Sequence, residues 1–467
     1  MVEDFQCPVK DECLIGKCPG ESCPIKRKID SQAAEIQFLK QELAELRAKM
    51  YGRKHKKNND EEGEEELPAQ KKRGAPRGHP GWYRKKPDKI DKVIEVKSSC
   101  CPHCGNKHIT PCRKVEEHIQ EDIVLPMVKA TLYRKRTYYC NKCQANFSGR
   151  GKDELLNSYI GPTAKTLACI LKYDIKVSDR GIHQIFKNLF NLKVSTGSVP
   201  GFRDQLSRRG VRTYGQMIDV LRKSAYAHCD ETGWNVDGEN HWLWSFSNNK
   251  VSVFHIDKSR GQKVVKEILS DEYRGILISD FLSAYNKIIA KGKQRCLVHL
   301  KRDLKQTMER FSADESIVRW CAELKKLINR AIELDKDREA GRINKKAFLK
   351  RRKDIEKALE YFQMPPDKKE IQRFTKRVLR HKDELLTFLY YEGIAYHNNH
   401  AEQQLRMNVI LKKITNGNRS LSGVNNHNII MSILKTALLN GLNPFDVMKE
   451  ILVDPGKSRI DALIRAP

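Results

Sequence analysis

Apolar residues recur every seven positions at Ile29, Ile36, Leu43 and Met50, with Leu39 and Leu46 three after two of them. That spacing predicts a coiled-coil-like helix over 29–52, although an amphipathic helix packed on its own chain has the same pattern over only three heptads. Further on, residues 162–210 read as three helices. The first runs from Thr163 to Tyr173, and Ser178 caps a second in which Ile182, Ile185 and Leu189 share a face. Ser195 or Thr196 caps a third, ending near Arg209. From Lys223 the period shortens to two. "SAYAHCD", "HWLWSFS" and "VSVFHID" read as strands, "RGQKVVKEIL" as a helix and "GILISD" as a strand. A helix from about Ser283 and a strand "QRCLVHL" complete the series. Residues 300–390 are helical in pattern and strongly basic, and 416–467 form a C-terminal helical segment.

A chain of 467 residues predicts several folded units. Its formal charge of +29 calls for a polyanionic partner, nucleic acid before membrane. No apolar run approaches the roughly 18 residues of a spanning helix. The opening Met1-Val2-Glu3-Asp4 lacks the pattern of a secretion signal, so the expected location is cytoplasmic. There the fourteen cysteines stay reduced, and clustered ones read as metal ligands. Cys169 and Cys321 read as small buried apolar residues.

Within 93–150, "CPHC" and "CNKC" place Cys101, Cys104, Cys140 and Cys143 as two Cys-x-x-Cys pairs flanking a strand-like stretch. Four thiolates so spaced predict a zinc ribbon with a closed, structural Zn²⁺ site. Residues 1–28 hold a separate cluster, Cys7, Cys13, Cys18 and Cys23, which leaves a second zinc open. Between these, residues 53–92 carry basic, acidic and again basic runs. They read as a charged linker, in which "KKRGAPRGHPGWYRKKP" suits DNA backbone contact as well as it suits a solvated tether. The helix triplet at 155–215 predicts a helix-turn-helix unit whose third helix, ending "FRDQLSRR", faces DNA; a plain helical connector fits the pattern nearly as well.

The element order from Lys223 is that of a ribonuclease-H-like mixed-sheet core, spanning 220–415 with the basic helices as an insertion. Asp230 ends its first strand and Asp280 its fourth. In that topology the two strands are neighbours, so both carboxylates converge. A third acid, Glu402, lies in the first turns of a helix capped by Asn398 or Asn399, with Arg406 four residues on. Three such carboxylates suit Mg²⁺ or Mn²⁺, hard cations that activate a nucleophile and stabilise a leaving oxygen in phosphodiester chemistry. Spacing alone fits an exposed glutamate paired with Arg406 better, since the chain has dozens of acids.

The ordered strings "DETGW" with "WLWSF", "SDFLSAY", "CLVHLKRDL", "NNHAEQQLR" and "TALLNGLNPFDVMKEIL" resemble insertion sequence 66 family transposases over about residues 150–452. The resemblance implies a DDE triad at Asp230, Asp280 and Glu402, binding Mg²⁺ or Mn²⁺, and the motif around Cys296-x-x-His299 implies that His299 lies near the site. It further implies DNA cleavage at element ends and strand transfer into target DNA, in a synaptic homo-oligomer aided by small accessory proteins, in the bacterial cytosol at the nucleoid. Two features depart from the family pattern. The Cys7 to Cys23 cluster is an addition, and "LKKITNGNRSLSG" replaces an Arg-Lys-Asn and aromatic run. A non-catalytic DNA-binding regulator and a ribonuclease-H-like nuclease that cuts without joining are the alternatives.

Overall fold

The computed structural model describes residues 128–134, 137–140, 145–148, 151, 153–156, 158–362 and 371–465. The expected N-terminal cysteine segment, coiled coil and linker, and Cys101, Cys104 and Cys143, lie outside the described residues. Cys140 is described in its backbone alone. It ends β1 (Thr137–Cys140), which pairs antiparallel with β2 (Ala145–Ser148).

Five further strands form one sheet: β3 (Tyr226–Val236), β4 (Glu239–Ser247), β5 (Ser252–Asp257), β6 (Glu272–Ser279) and β7 (Ile289–Arg295), in the order β5-β4-β3-β6-β7. The first three are antiparallel to one another; β3, β6 and β7 run parallel. This mixed α/β arrangement is compatible with the expected core.

Several boundaries differ from expectation. β3 does not end at Asp230 but continues through "ETGWNV" to Val236, where Asp237 (φ 50°) and Gly238 (φ 84°) turn directly into β4. Positive φ at both loop residues is the two-residue hairpin turn that matches strand twist, and an Asp-Gly pair favours it. In place of a helix from Ser283 there is only one 3₁₀ turn, Ser283–Tyr285. "QRCLVHL" is not a strand. β7 stops at Arg295, and Leu297 opens α5 because Leu297, Leu300 and Leu304 fall on one face, all fully buried.

The helices before the sheet are α1 (Pro162–Tyr173), α2 (Asp179–Asn188) and α3 (Ser198–Lys223). Ser178 caps α2 by accepting from the Gly181 N–H at 3.1 Å. The buried face of α2 is Ile182 with Phe186, while Leu189 is half exposed. α3 runs fourteen residues past its expected end near Arg209, because Met217 and Leu221 continue the apolar face into the sheet's core. Arg203 in "FRDQLSRR" is held by Asp179.

α3 and α4 (Gln262–Leu269) cover part of one side of the sheet. The insertion, α5 (Leu297–Arg310), α6 (Glu315–Glu339), α7 (Lys345–Glu360) and α8 (Gln372–Arg380), builds a second core against Ile276 and Ile278 of β6. α9 (Asn399–Thr415) packs on β3 and β4. α10 (Leu421–Leu439), α11 (Pro444–Val453) and α12 (Arg459–Arg465) join the main core.

The edge of the sheet is closed by α10. Asn428, Ser432 and Thr436, spaced four apart, accept from the Ile256, Phe254 and Ser252 N–H groups at 3.0, 2.9 and 3.0 Å. A helix face with period four thus satisfies a strand edge with period two.

Candidate active site

Strand alternation and register bring two of the three expected acids together. β3 and β6 pair in parallel up to His228 opposite Ile278, so two residues on Asp230 and Asp280 come to neighbouring positions. Their parity matches His228 on β3 and Ile278 on β6, the face toward Asn398 and the insertion. The third acid comes from α9, whose first turn carries Glu402 over β3. Glu402 Oε1 lies 3.7 Å from His299 Nε2 on the first turn of α5. His299 is therefore beside Glu402, on a helix rather than at a strand end. Arg406 is exposed, and among the described residues no ion pair joins it to Glu402.

The electrostatics of this cluster are those of crowded carboxylates. Burial first, then the charges of Glu231, Asp280 and Glu402, push the Asp230 carboxyl up to about 8. Glu231 is also raised, by burial and then by Asp280. Its side chain is 2% exposed and accepts from the Tyr285 hydroxyl at 2.8 Å and from Arg260 at 3.0 Å. Arg260 in turn lies over the Trp242 ring, 4.1 Å from its centroid. Glu402 Oε1 is buried and has no hydrogen-bond partner.

Like charges gathered out of water with an unpartnered carboxylate oxygen are the donor set of a hard divalent cation. Among the described residues, no three His, Cys, Asp or Glu side chains converge closely enough to enclose one ion. Mg²⁺ does not require such a cage; it is held by one or two carboxylates and fills its shell with water and phosphate oxygens. The residues present fit that mode.

A sequence profile described as Transposase IS66 family matches residues 157–426. The chain belongs to the IS66 transposase family. No curated protein matches it. The family assignment carries a transposase role and with it DNA as the substrate. Among the described residues of this transposase no helix is long and apolar enough to cross a membrane.

Several residues that shape the site were not singled out from sequence. Arg295 is fully buried, and its guanidinium donates to the Asp280 carbonyl at 2.7 Å, to Asn286 at 3.0 Å and to Glu384 at 2.5 Å. The insertion, through Glu384, thereby braces the backbone of Asp280. A lone arginine ending a strand is the only trace this leaves in the sequence. Glu231, adjacent to Asp230, had a plainer signal in the Asp-Glu dipeptide. The departing segment also has a definite place. Asn416 (φ 57°) and Gly417 (φ 95°) end α9, and Asn418 then bonds the backbones of Asn235 and Asp237 at the end of β3. Trp234 Nε1 donates to Asn418 Oδ1 at 2.7 Å.

Proposed function

We propose that this transposase cuts DNA at element ends and joins the freed ends to target DNA in a divalent-metal-dependent reaction, with Asp230, Asp280 and Glu402 as the carboxylates that hold the cations. The observation that carries this reading is that Asp230 on β3 and Asp280, one residue past the end of the neighbouring parallel strand β6, lie near the helix bearing Glu402. Two bound Mg²⁺ or Mn²⁺ ions would supply activation of the attacking oxygen and stabilisation of the leaving one.

The chain's own part is positional. Asp230 stands on the sheet, the most rigid element available, Asp280 immediately follows β6, and Glu402 lies on a helix packed against the sheet. His299 stands beside Glu402 and restricts where its carboxylate can turn. Water attacks the phosphodiester at the element end, and the 3′ hydroxyl so released attacks target DNA in line. No protein nucleophile is needed, and the nearby thiols are poor candidates for one, since Cys229 and Cys296 are buried and burial raises the pKa of both.

On this reading the helix triplet and the basic insertion hold DNA, and Cys101, Cys104, Cys140 and Cys143 hold one structural Zn²⁺, which metal analysis of the purified protein would count. The deciding experiment is transfer of a labelled element-end duplex into plasmid DNA with Mg²⁺ or Mn²⁺. Joined products from the native chain, lost in Asp230→Asn and Glu402→Gln, are expected. Cleavage without joining would mean a nuclease; DNA binding without either would mean a regulator.

A further inference from the structure

Asn398 immediately precedes α9 and is fully buried. A helix-capping asparagine turns its side chain onto the first free N–H groups of its own helix. This one does not. Its backbone sits at φ −106°, ψ 22°, with no side-chain cap bond. Instead its Nδ2 donates to the Cys229 carbonyl at 2.8 Å, and its Oδ1 lies 3.1 Å from His228 Nδ1. Because a carbonyl only accepts, the amide orientation is determined, and His228 must present its Nδ1 proton to Oδ1. The backbone N–H of Asn398 reaches Cys296 Sγ at 3.2 Å.

Each partner adjoins the candidate site. The Cys229 carbonyl belongs to the peptide that links it to Asp230. Cys296 precedes α5, three residues before His299, and its own N–H bonds the carbonyl of Ser279, the residue before Asp280. One buried residue therefore fastens the start of the Glu402 helix to the strand of Asp230 and to the junction of β7 with α5, the helix of His299. The helix forgoes a cap, a contribution of about 1 kcal/mol, in favour of this tie.

We propose that Asn398 is a positioning residue that sets the separation of Glu402 from Asp230 and thereby the affinity of the site for divalent cations. The proposal rests on the reading of these carboxylates as metal-holding. Without the amide, the first turn of α9 loses its tie to the strand of Asp230 and keeps only the backbone tie to Cys296, and Mg²⁺ tolerates little departure from its octahedral geometry.

The test compares the full-length native chain with Asn398→Ala, Asn398→Ser and Glu402→Gln. Mn²⁺ binding without DNA is followed by electron paramagnetic resonance, and cleavage of an element-end duplex is titrated with Mg²⁺. Asn398→Ala is expected to weaken Mn²⁺ binding by about 10–100-fold, the usual cost of losing an outer-shell partner. It should raise the Mg²⁺ midpoint of cleavage by a similar factor, with much of the rate recovered at saturating Mg²⁺ and with unchanged DNA affinity. Asn398→Ser, which keeps a donor, should fall between. Native Mn²⁺ affinity and a native midpoint in Asn398→Ala, while Glu402→Gln abolishes both, would overturn the positioning role alone. Intact metal binding and cleavage in Glu402→Gln would overturn the carboxylate reading itself. Circular dichroism showing both Asn398 variants unfolded would also overturn the proposal, since Asn398 would then determine the fold rather than the site.

Discussion

Replacing Asp230 with asparagine is expected to raise the stability of the metal-free protein while removing its activity. The Asp230 carboxyl is held at about 8 by burial and by three neighbouring carboxylates, against an ordinary aspartate near 3.8. A group raised on folding contributes stability that is fully present below its unfolded pKa and is lost as pH rises through the folded one. The penalty therefore grows from about pH 4 to pH 8. A shift of about four units corresponds to at most about 6 kcal/mol, at about 1.4 kcal/mol per unit. Relaxation and water entry in the variant reduce what is recovered, and a gain of about 1–3 kcal/mol at pH 8 is expected. For a core of this size that amounts to about 3–9 °C in melting temperature. The assay is thermal unfolding in chelator at pH 8 and pH 5, repeated with Mg²⁺. The gain should shrink at pH 5, and Mg²⁺ should stabilise the native chain but not Asp230→Asn. A variant less stable than native in chelator, or one stabilised by Mg²⁺ as much as native, would refute the argument that unbalanced charge and cation binding meet at this carboxyl.

Three further outcomes follow from other parts of the fold. Gly417 has φ 95°, and a Cβ there would lie 2.2 Å from the Asn235 carbonyl oxygen; Gly417→Ala should cost about 2–4 kcal/mol, read as the denaturant midpoint. Arg295→Met leaves Glu384 without its buried guanidinium and should cost about 3–5 kcal/mol, with Asp280 misplaced and cleavage lost even at low temperature. His427 is buried and lowered to about 3 by burial, so it contributes stability present above its unfolded pKa near 6.5 and lost as pH falls toward the folded value. Between pH 8 and pH 5 that loss is about 2 kcal/mol, and His427→Gln should flatten the pH dependence of unfolding by that amount.

The sequence by itself determined the periodic elements and their order, because helix and strand periods are local properties of the chain. Three strands, a helix and a fourth strand were legible in it, as were the Ser178 cap, the buried Cys169 and Cys321, and the family. It was less informative where two periods compete over a few residues. Gln294 and Arg295 belong to a strand and Leu297 to a helix, and only the buried Leu297, Leu300 and Leu304 face separates them. The Asp237-Gly238 pair that turns β3 into β4 lies past the acid at which the strand was expected to end. What only tertiary structure decided is which residues meet across sequence distances of a hundred or more. Asn398 turning from its helix to the Cys229 carbonyl, and α10 closing the β5 edge, are examples. Arg295 joining Glu384 to Asp280 is another. Such pairings arise because a buried polar group must find a partner somewhere in the packed interior, and nothing in the local pattern states which one is within reach.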